Sequence, residues 1–316
     1  MSPPLDWLSR LLEITPVRGQ LDLRCMYGAP WRIDQSASAP GEIPYHIVLG
    51  GSALLEDPVG KTPHELVAGD IVLLADGDAH TLHDGSGKRA KAARERAVAN
   101  LVFSENSGSG ARLDMLCGRF VLSPAHAHLL RGYLPTRLIA HSAVQDGGAT
   151  ETGLHLSNLL TLMRVESNGE SLGGRAMLNA LSTALFALTL RFASESGEAP
   201  AGLLALAGYP RLAPALEALF HDPGHPWTLP ALAQLCHMSR ATFVRLFQEK
   251  LGRSANDLLT DIRMTMAANE LRTSSASTGA IAELVGYQSE AAFQRAFKLH
   301  MGVTPAHWRR GERRLE

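Results

Sequence analysis

LAQLCHMSRATFVRLFQEKLGRSA, residues Leu232 to Ala255, is written a second time about fifty residues later as IAELVGYQSEAAFQRAFKLHMGVTP, Ile281 to Pro305. Leu232, Ala233 and Leu235 meet Ile281, Ala282 and Leu284. After a one-residue insertion in the turn, Phe243, Arg245, Phe247 and Gly252 meet Phe293, Arg295, Phe297 and Gly302. Each copy reads as a helix, a tight turn and a second helix opened by Ser239 or Ser289, whose hydroxyl can accept a free backbone N–H at the cap position. Phe243 and Phe247, like Phe293 and Phe297, stand one turn apart and fall on one buried face. The opposite face presents Arg240, Ala241, Val244 and Arg245 in the first copy, and Glu290, Ala291, Gln294 and Arg295 in the second.

A short second helix with a small or polar outer face, held by a Leu/Ala seam, has the shape that enters a DNA major groove. Arg can grip guanine at O6 and N7, Gln can do so with adenine, and small residues meet a thymine methyl. The same helix-turn-helix shape occurs in helical domains with no DNA role, and two copies on a basic segment tell against that reading. From Gly208 onward there are 13 Lys or Arg against 10 Asp or Glu, and before it 17 against 21, so the near-neutral chain has a basic C-terminal part ending in RRGERR. That excess is a mild pointer to a polyanion. Two such helices in successive grooves should stand about one helical turn, roughly 34 Å, apart, a separation set by LLTDIRMTMAANELRTS between them.

At 316 residues a second domain is expected. The apolar fraction of 45% and the charged fraction of 19% describe a packed globular chain. The longest apolar tract, ALSTALFALTL (Ala180 to Leu190), is too short to span a bilayer, and MSPPLDWLSR lacks a basic run followed by an apolar core, so no membrane partner and a cytoplasmic location are expected. Cys25, Cys117 and Cys236 fit neither a disulfide framework nor zinc-finger or CxxC spacing.

Ile43 to Leu82 reads as short strands and turns. DGSGKRAKAARERA (Asp84 to Ala97) reads as a mobile excursion or a short exposed helix. AVANLVFSEN and RLDMLCGRFVLS resume the strand pattern, with SGSG (Ser107 to Gly110) as their hairpin connection, so a small antiparallel barrel or sandwich is expected. After Leu122, helical spacing appears at Gly153 to Ser167 and at Ser171 to Ser194. Their apolar excess needs cover, for which a homodimer contact is expected. SGEAPAGLLALAG (Ser196 to Gly208) reads as a linker.

The segment from about Tyr209 to Arg310 resembles the DNA-binding domain of the AraC/XylS family of transcription regulators, on WTLPALAQLCHMSRATFVRLFQEKLG, RMTMAANELR and IAELVGYQSEAAFQRAFKLHMGVTPAHWRR. Ala255 stands where the family usually has Pro and Trp308 where it usually has Tyr, both at packing positions. The resemblance implies double-stranded operator DNA and RNA polymerase as partners and no enzymatic activity. It implies base reading by Arg240, Ala241, Val244, Arg245, Glu290, Ala291, Gln294 and Arg295, with the caps Ser239 and Ser289 beside them.

GDIVLLADGDAH (Gly69 to His80) matches the second cupin motif except that Ala75 replaces a Pro. The first motif is broken, because YHIVLGGSALLE keeps His46 without an HxH pair and Glu56 is too distant. A cupin-type barrel without the usual catalytic metal set is therefore expected. SRLLEITPVRGQLDLRCMYGAPW, YHIVLGGSALLE, PHELVAGDIVLLADGDAHTL and MLCGRFVL resemble the sensor of a branch of the same family that includes regulators of the response to reactive chlorine species. In that branch Cys25 and Cys117 match cysteine positions, which implies redox sensing with oxidation of Cys25 as the signal. Such a thiol must be partly ionised and accessible, and His46, His80 or Arg24 could supply positive charge. Cys25, His46, His80 and Cys117 could also converge as a zinc site, the one cofactor these residues suggest. Cys236, in register with Val285, reads as core, and His64 and His83 as surface.

The expected protein is α+β: a cupin-like β-barrel followed by helices in residues 1–195, a linker at 196–208, and an all-α domain with two helix-turn-helix units at 209–316. The expected function is a sequence-specific transcription activator switched by cysteine oxidation. The alternatives are a regulator induced by a small organic ligand in the barrel and a metal-dependent cupin enzyme, the latter opposed by the missing HxH.

Overall fold

The computed structural model describes residues 5–56, 62–98, 100–141, 150–195 and 202–311. In chain order the first elements are α1 (Trp7–Ile14), β1 (Arg18–Gly28), β2 (Arg32–Gln35), β3 (Glu42–Gly50), β4 (Ser52–Leu55), β5 (His64–Val67), β6 (Asp70–Leu74) and β7 (His80–His83). Then come β8 (Ala93–Val98), β9 (Leu101–Asn106), β10 (Arg112–Val121), α2 (Pro124–Tyr133), β11 (Arg137–His141), α3 (Glu151–Asn168) and α4 (Gly174–Glu195). The remainder is helical: α5 (Leu203–Ala207), α6 (Ala213–His221), α7 (Leu229–Leu235), α8 (Arg240–Leu251), α9 (Ala255–Thr273), α10 (Thr278–Leu284), α11 (Glu290–Met301) and α12 (Pro305–Gly311).

Two compact units result. One comprises Val17–Leu122 and Pro135–Ala193; the other takes the segment ending at Pro16, Ser123–Leu134, and the chain from Ser194 onward. The first holds a seven-stranded sheet, β11-β6-β3-β10-β1-β9-β8, and a four-stranded sheet, β2-β7-β4-β5. Strand β3 is buried on both faces, and its alternation separates two environments. On one face Tyr45 bonds Ser182 of α4 at 2.7 Å, and Phe120 of β10 stacks on Tyr45 and meets Phe186 of α4. On the other, Val48 joins an apolar core with Tyr27, Trp31, Leu66, Val72, Leu82 and Met115, a core that also includes Cys25 and Cys117.

The cupin-like barrel followed by helices is present, and several local expectations are corrected. SGSG is no hairpin connection: β1 lies between β9 and β10, pairing parallel with the first and antiparallel with the second. A parallel neighbour leaves no local signal, whereas a Gly/Ser run between two strand patterns imitates one. Residues Ala93 to Ala97 of the charged insertion are strand, the exposed edge β8 paired with β9. Its charges suit an edge that must not recruit another strand.

Helix α4 runs 22 residues, within one to three residues of the span expected at Ser171 to Ser194, and by length and composition alone could cross a membrane. Its inner face, including Leu178, Leu185, Phe186 and Leu190, is buried on the barrel. In the expected linker, Leu203–Ala207 is helix α5 with Leu203, Leu204 and Leu206 buried; residues 196–201 lie outside the described residues, as do 312–316 of the basic end. Helices α1 and α2, though encoded within residues 1–195, belong to the helical unit. Trp7 of α1 meets Phe220 of α6 at 6.2 Å, and Tyr133 of α2 donates to Asp261 of α9 at 2.6 Å.

Candidate functional site

Ser239 and Ser289 cap α8 and α11 by accepting from the backbone N–H groups of Thr242 at 3.2 Å and Ala292 at 3.3 Å. Each preceding turn closes with the same bond, from Met238 N–H to the Ala233 carbonyl and from Tyr287 N–H to the Ala282 carbonyl. His237 and Gly286 hold equivalent places there with φ of 51° and 83°. Phe243, Phe247, Phe293 and Phe297 are buried, as are Cys236 and Val285. Ser239, Arg240, Ala241, Val244 and Arg245 are exposed on α8, and Ser289, Glu290, Ala291, Gln294 and Arg295 on α11. Arg245 lies 3.4 Å from Glu249, and Gln294 donates to Glu290 at 2.9 Å.

Helix α9, 19 residues and so about 28 Å long, joins the two pairs. It starts with a reciprocal capping box between Ser254 and Asp257. Arg263 on it donates to the carbonyls of Pro223 at 2.7 Å and His225 at 2.9 Å and lies over the Tyr287 ring, fastening the approach to α7 and the turn before α11 to one helix.

Within the barrel, Cys25, Cys117, His46 and His80 come together as a line. Sγ of Cys25 is 3.9 Å from Sγ of Cys117, which is 3.1 Å from His46 Nδ1; His46 Nε2 is 2.7 Å from His80 Nε2. His80 Nδ1 lies 3.0 Å from the Asp78 carbonyl, which can only accept, so Nδ1 carries the His80 proton. The other tautomers follow: His46 donates through Nε2, and its bare Nδ1 accepts from the Cys117 thiol. Burial, reinforced by His80, holds His46 at about 3, and burial also lowers His80. The hydrogen bond with Cys25, together with burial, raises the Cys117 thiol well above its ordinary value.

The resting line is thus neutral at Cys117, His46 and His80, and both thiols are buried. The accessible thiol beside positive charge expected from sequence is not what the barrel holds. Arg24 gives Cys25 no charge either, because on a strand neighbours point to opposite faces. It donates to Asp114 through two nitrogens at 2.7 Å, to Ser167 at 2.9 Å and to Asn168 at 2.7 Å, tying β1 to the end of α3. His80 lines a solvent-facing cleft of about 360 Å³ with Asp34 and Glu56. His64 is exposed, and His83, half-buried, lies 3.6 Å from Glu56.

Zinc fits this line poorly. Two nitrogens on a tetrahedral zinc stand about 3.3 Å apart, and His46 and His80 are closer than that with their Nε2 atoms facing each other. Only the two sulfurs match a tetrahedral edge, so no step below passes through a metal there. Among the described residues, ligand atoms close around one point instead at His128, Asp261 and His300, which sequence reading did not single out.

The cupin family profile matches residues 6–195, and a helix-turn-helix domain profile matches residues 232–311. An uncharacterised HTH-type transcriptional regulator of Haemophilus influenzae is 31% identical over 97% of this chain and 99% of its own length. The RCS-specific HTH-type transcriptional activator RclR of Escherichia coli is 28% identical over 98% and 99%. The HTH-type transcriptional regulator MtrA of Neisseria gonorrhoeae is 28% identical over 97% and 98%.

Proposed function

This chain belongs to the AraC family of helix-turn-helix transcription regulators with an N-terminal cupin domain, and from that membership we propose that it is a cytoplasmic activator switched by oxidation of its Cys25–Cys117 pair. The family domain binds double-stranded DNA. The reading assigns base contacts to the exposed faces of α8 and α11, with Arg245 and Arg295 on guanines, Gln294 on an adenine, Ala241, Val244 and Ala291 against thymine methyls, and Glu290 on a cytosine amine or a water. RNA polymerase is the partner that activation requires. A second copy is the cover proposed for Leu154, Leu162 and Val165 of α3 and Met177 of α4, all exposed.

The observation that carries the redox reading is the line from Cys25 to the cleft. The Cys117 proton can pass to His46 Nδ1 as His46 yields its Nε2 proton to His80, whose Nδ1 proton leaves at the cleft side. Hypochlorous acid then takes two electrons from the sulfur: a sulfenic acid forms and chloride departs. The second thiol attacks the sulfenic sulfur, an S–S bond forms and water leaves. The sulfurs must close to about 2.05 Å, which pulls β1 against β10. Arg24, on the opposite face of β1, carries that displacement to α3. An organic inducer inside the barrel has less support, since Trp31, Leu55, Leu66, Val72, Leu82 and Met115 fill its interior.

The test treats purified full-length protein with hypochlorous acid and follows free thiols and affinity for a duplex selected from a randomised pool by the reduced protein. Two thiols should disappear together with a change in affinity, and Cys25→Ser, which leaves Cys117 oxidisable but without a partner for the S–S bond, should abolish the change in affinity. A full affinity response in Cys25→Ser would sink the redox reading.

A further inference from the structure

Three helices of the helical unit bring His128 of α2, Asp261 of α9 and His300 of α11 together, with one ligand atom from each lying within 4.8 Å of the others. His300 Nδ1 stands 3.5 Å from Asp261 Oδ1, longer than a hydrogen bond ordinarily is and close to the edge of about 3.3 Å that two donors keep on a tetrahedral ion. The His128 ring lies 4.8 Å from the His300 ring, centroid to centroid. Asp261 is buried, and its Oδ2 takes hydrogen bonds from Tyr133 at 2.6 Å and from Arg253 at 2.9 Å. Those bonds fix the carboxylate so that Oδ1 faces the histidines, the role that outer partners play around a bound ion.

We propose that His128, Asp261 and His300 form a binding site for one divalent transition-metal ion of the zinc class, which clamps the end of α11 to α2 and α9. Arg253 offsets the Asp261 charge, so the two imidazoles supply most of the affinity. Such donors select zinc, cobalt, nickel or copper over magnesium or calcium. His128 is exposed and free to turn inward, and the remaining coordination position is left to water. Helix α11 carries Gln294 and Arg295, and α2 follows in the chain directly from β10, the strand of Cys117. Metal occupancy therefore sets how firmly the second groove-facing helix is held. That consequence, unlike ion binding itself, rests on the proposed DNA-reading function.

Chelator-stripped full-length protein titrated with Co²⁺ should take up one equivalent that absorbs in the visible without the near-ultraviolet band of thiolate ligation, and Zn²⁺ should displace it. His128→Ala, whose side chain is exposed, and His300→Gln should each weaken binding by about tenfold or more. Unchanged affinity in both variants, or cobalt held only with a thiolate band, would overturn the site. With a duplex selected from a randomised pool by the zinc-free protein, Zn²⁺ should shift affinity about fivefold or more in the wild type and not in His128→Ala. Metal binding without that shift overturns the clamp. Failure to retain any duplex, with metal still bound, counts against the DNA-reading function instead.

Discussion

Arg245 and Arg295 hold equivalent places on α8 and α11, yet their neighbourhoods differ. Arg245 reaches Glu249 one turn along at 3.4 Å, an exposed pair worth a few tenths of a kcal/mol. On α11 the residue one turn beyond Arg295 is Leu299, exposed and uncharged. On the proposed reading Arg245 must release a carboxylate before meeting a base, so its contribution is expected to be the smaller of the two. Arg245→Ala and Arg295→Ala should each weaken specific binding by about 1 to 3 kcal/mol, with the larger loss at Arg295, measured by fluorescence anisotropy against selected and random duplexes. Equal losses on both duplexes would show that the guanidiniums hold phosphate. The identities of these side chains were legible because helical periodicity puts them opposite two Phe anchors. The partner Glu249 was not, since a surface ion pair depends on rotamers that spacing leaves open.

The two helix-turn-helix elements share the hydrogen bonds of their turns but solve the backbone problem differently. Gly286 adopts positive φ, where an added Cβ would lie 2.4 Å from the Gly224 carbonyl oxygen, while His237 adopts φ 51° with a side chain in place. A β-carbon in this region costs about 1 to 2 kcal/mol, so the first turn is the strained one. His237→Gly should raise stability by about 1 kcal/mol and Gly286→Ala should lower it by several times as much, both read as shifts in thermal midpoint. A destabilised His237→Gly would mean that the imidazole makes contacts outweighing the strain.

These elements were readable because caps, turns and phenylalanines lie within two dozen residues of one another. Strand β1 was not, because its insertion between β9 and β10 is a long-range choice with no local mark. The four thiol and imidazole groups were anticipated as neighbours from motif positions. Their order along a line depends on ring orientation, which no motif encodes.

Across the whole chain, buried neutral histidines make stability depend on pH. His46 is held at about 3, against about 6.5 in an unfolded chain. Above 6.5 neither state binds the proton. Below it the unfolded chain does and the folded one does not, so stability falls as pH drops from about 6.5 towards 3, by up to about 1.4 kcal/mol per pH unit for this one group. Burial lowers His80 as well, and its contribution has the same sign. Urea midpoints recorded between pH 7.5 and pH 5 should fall on acidification, and His46→Gln should flatten the slope; an unaltered slope would place the sensitivity elsewhere. The His128, Asp261 and His300 group belongs to this scale too. It is assembled from three helices far apart in sequence, and only tertiary packing discloses it.

The chain enters the helical unit with α1, leaves for the barrel, returns as α2, leaves again and comes back after α4. A scissile bond placed between α4 and α5 therefore separates α1 and α2 from the rest of their unit. The C-terminal piece would lose the Trp7 ring that covers Phe220 and the Tyr133 hydroxyl that satisfies Asp261. Dissecting this regulator calls for rejoining three separated stretches, and an activity missing from a simple truncation would report an amputated scaffold before it reported a missing signal.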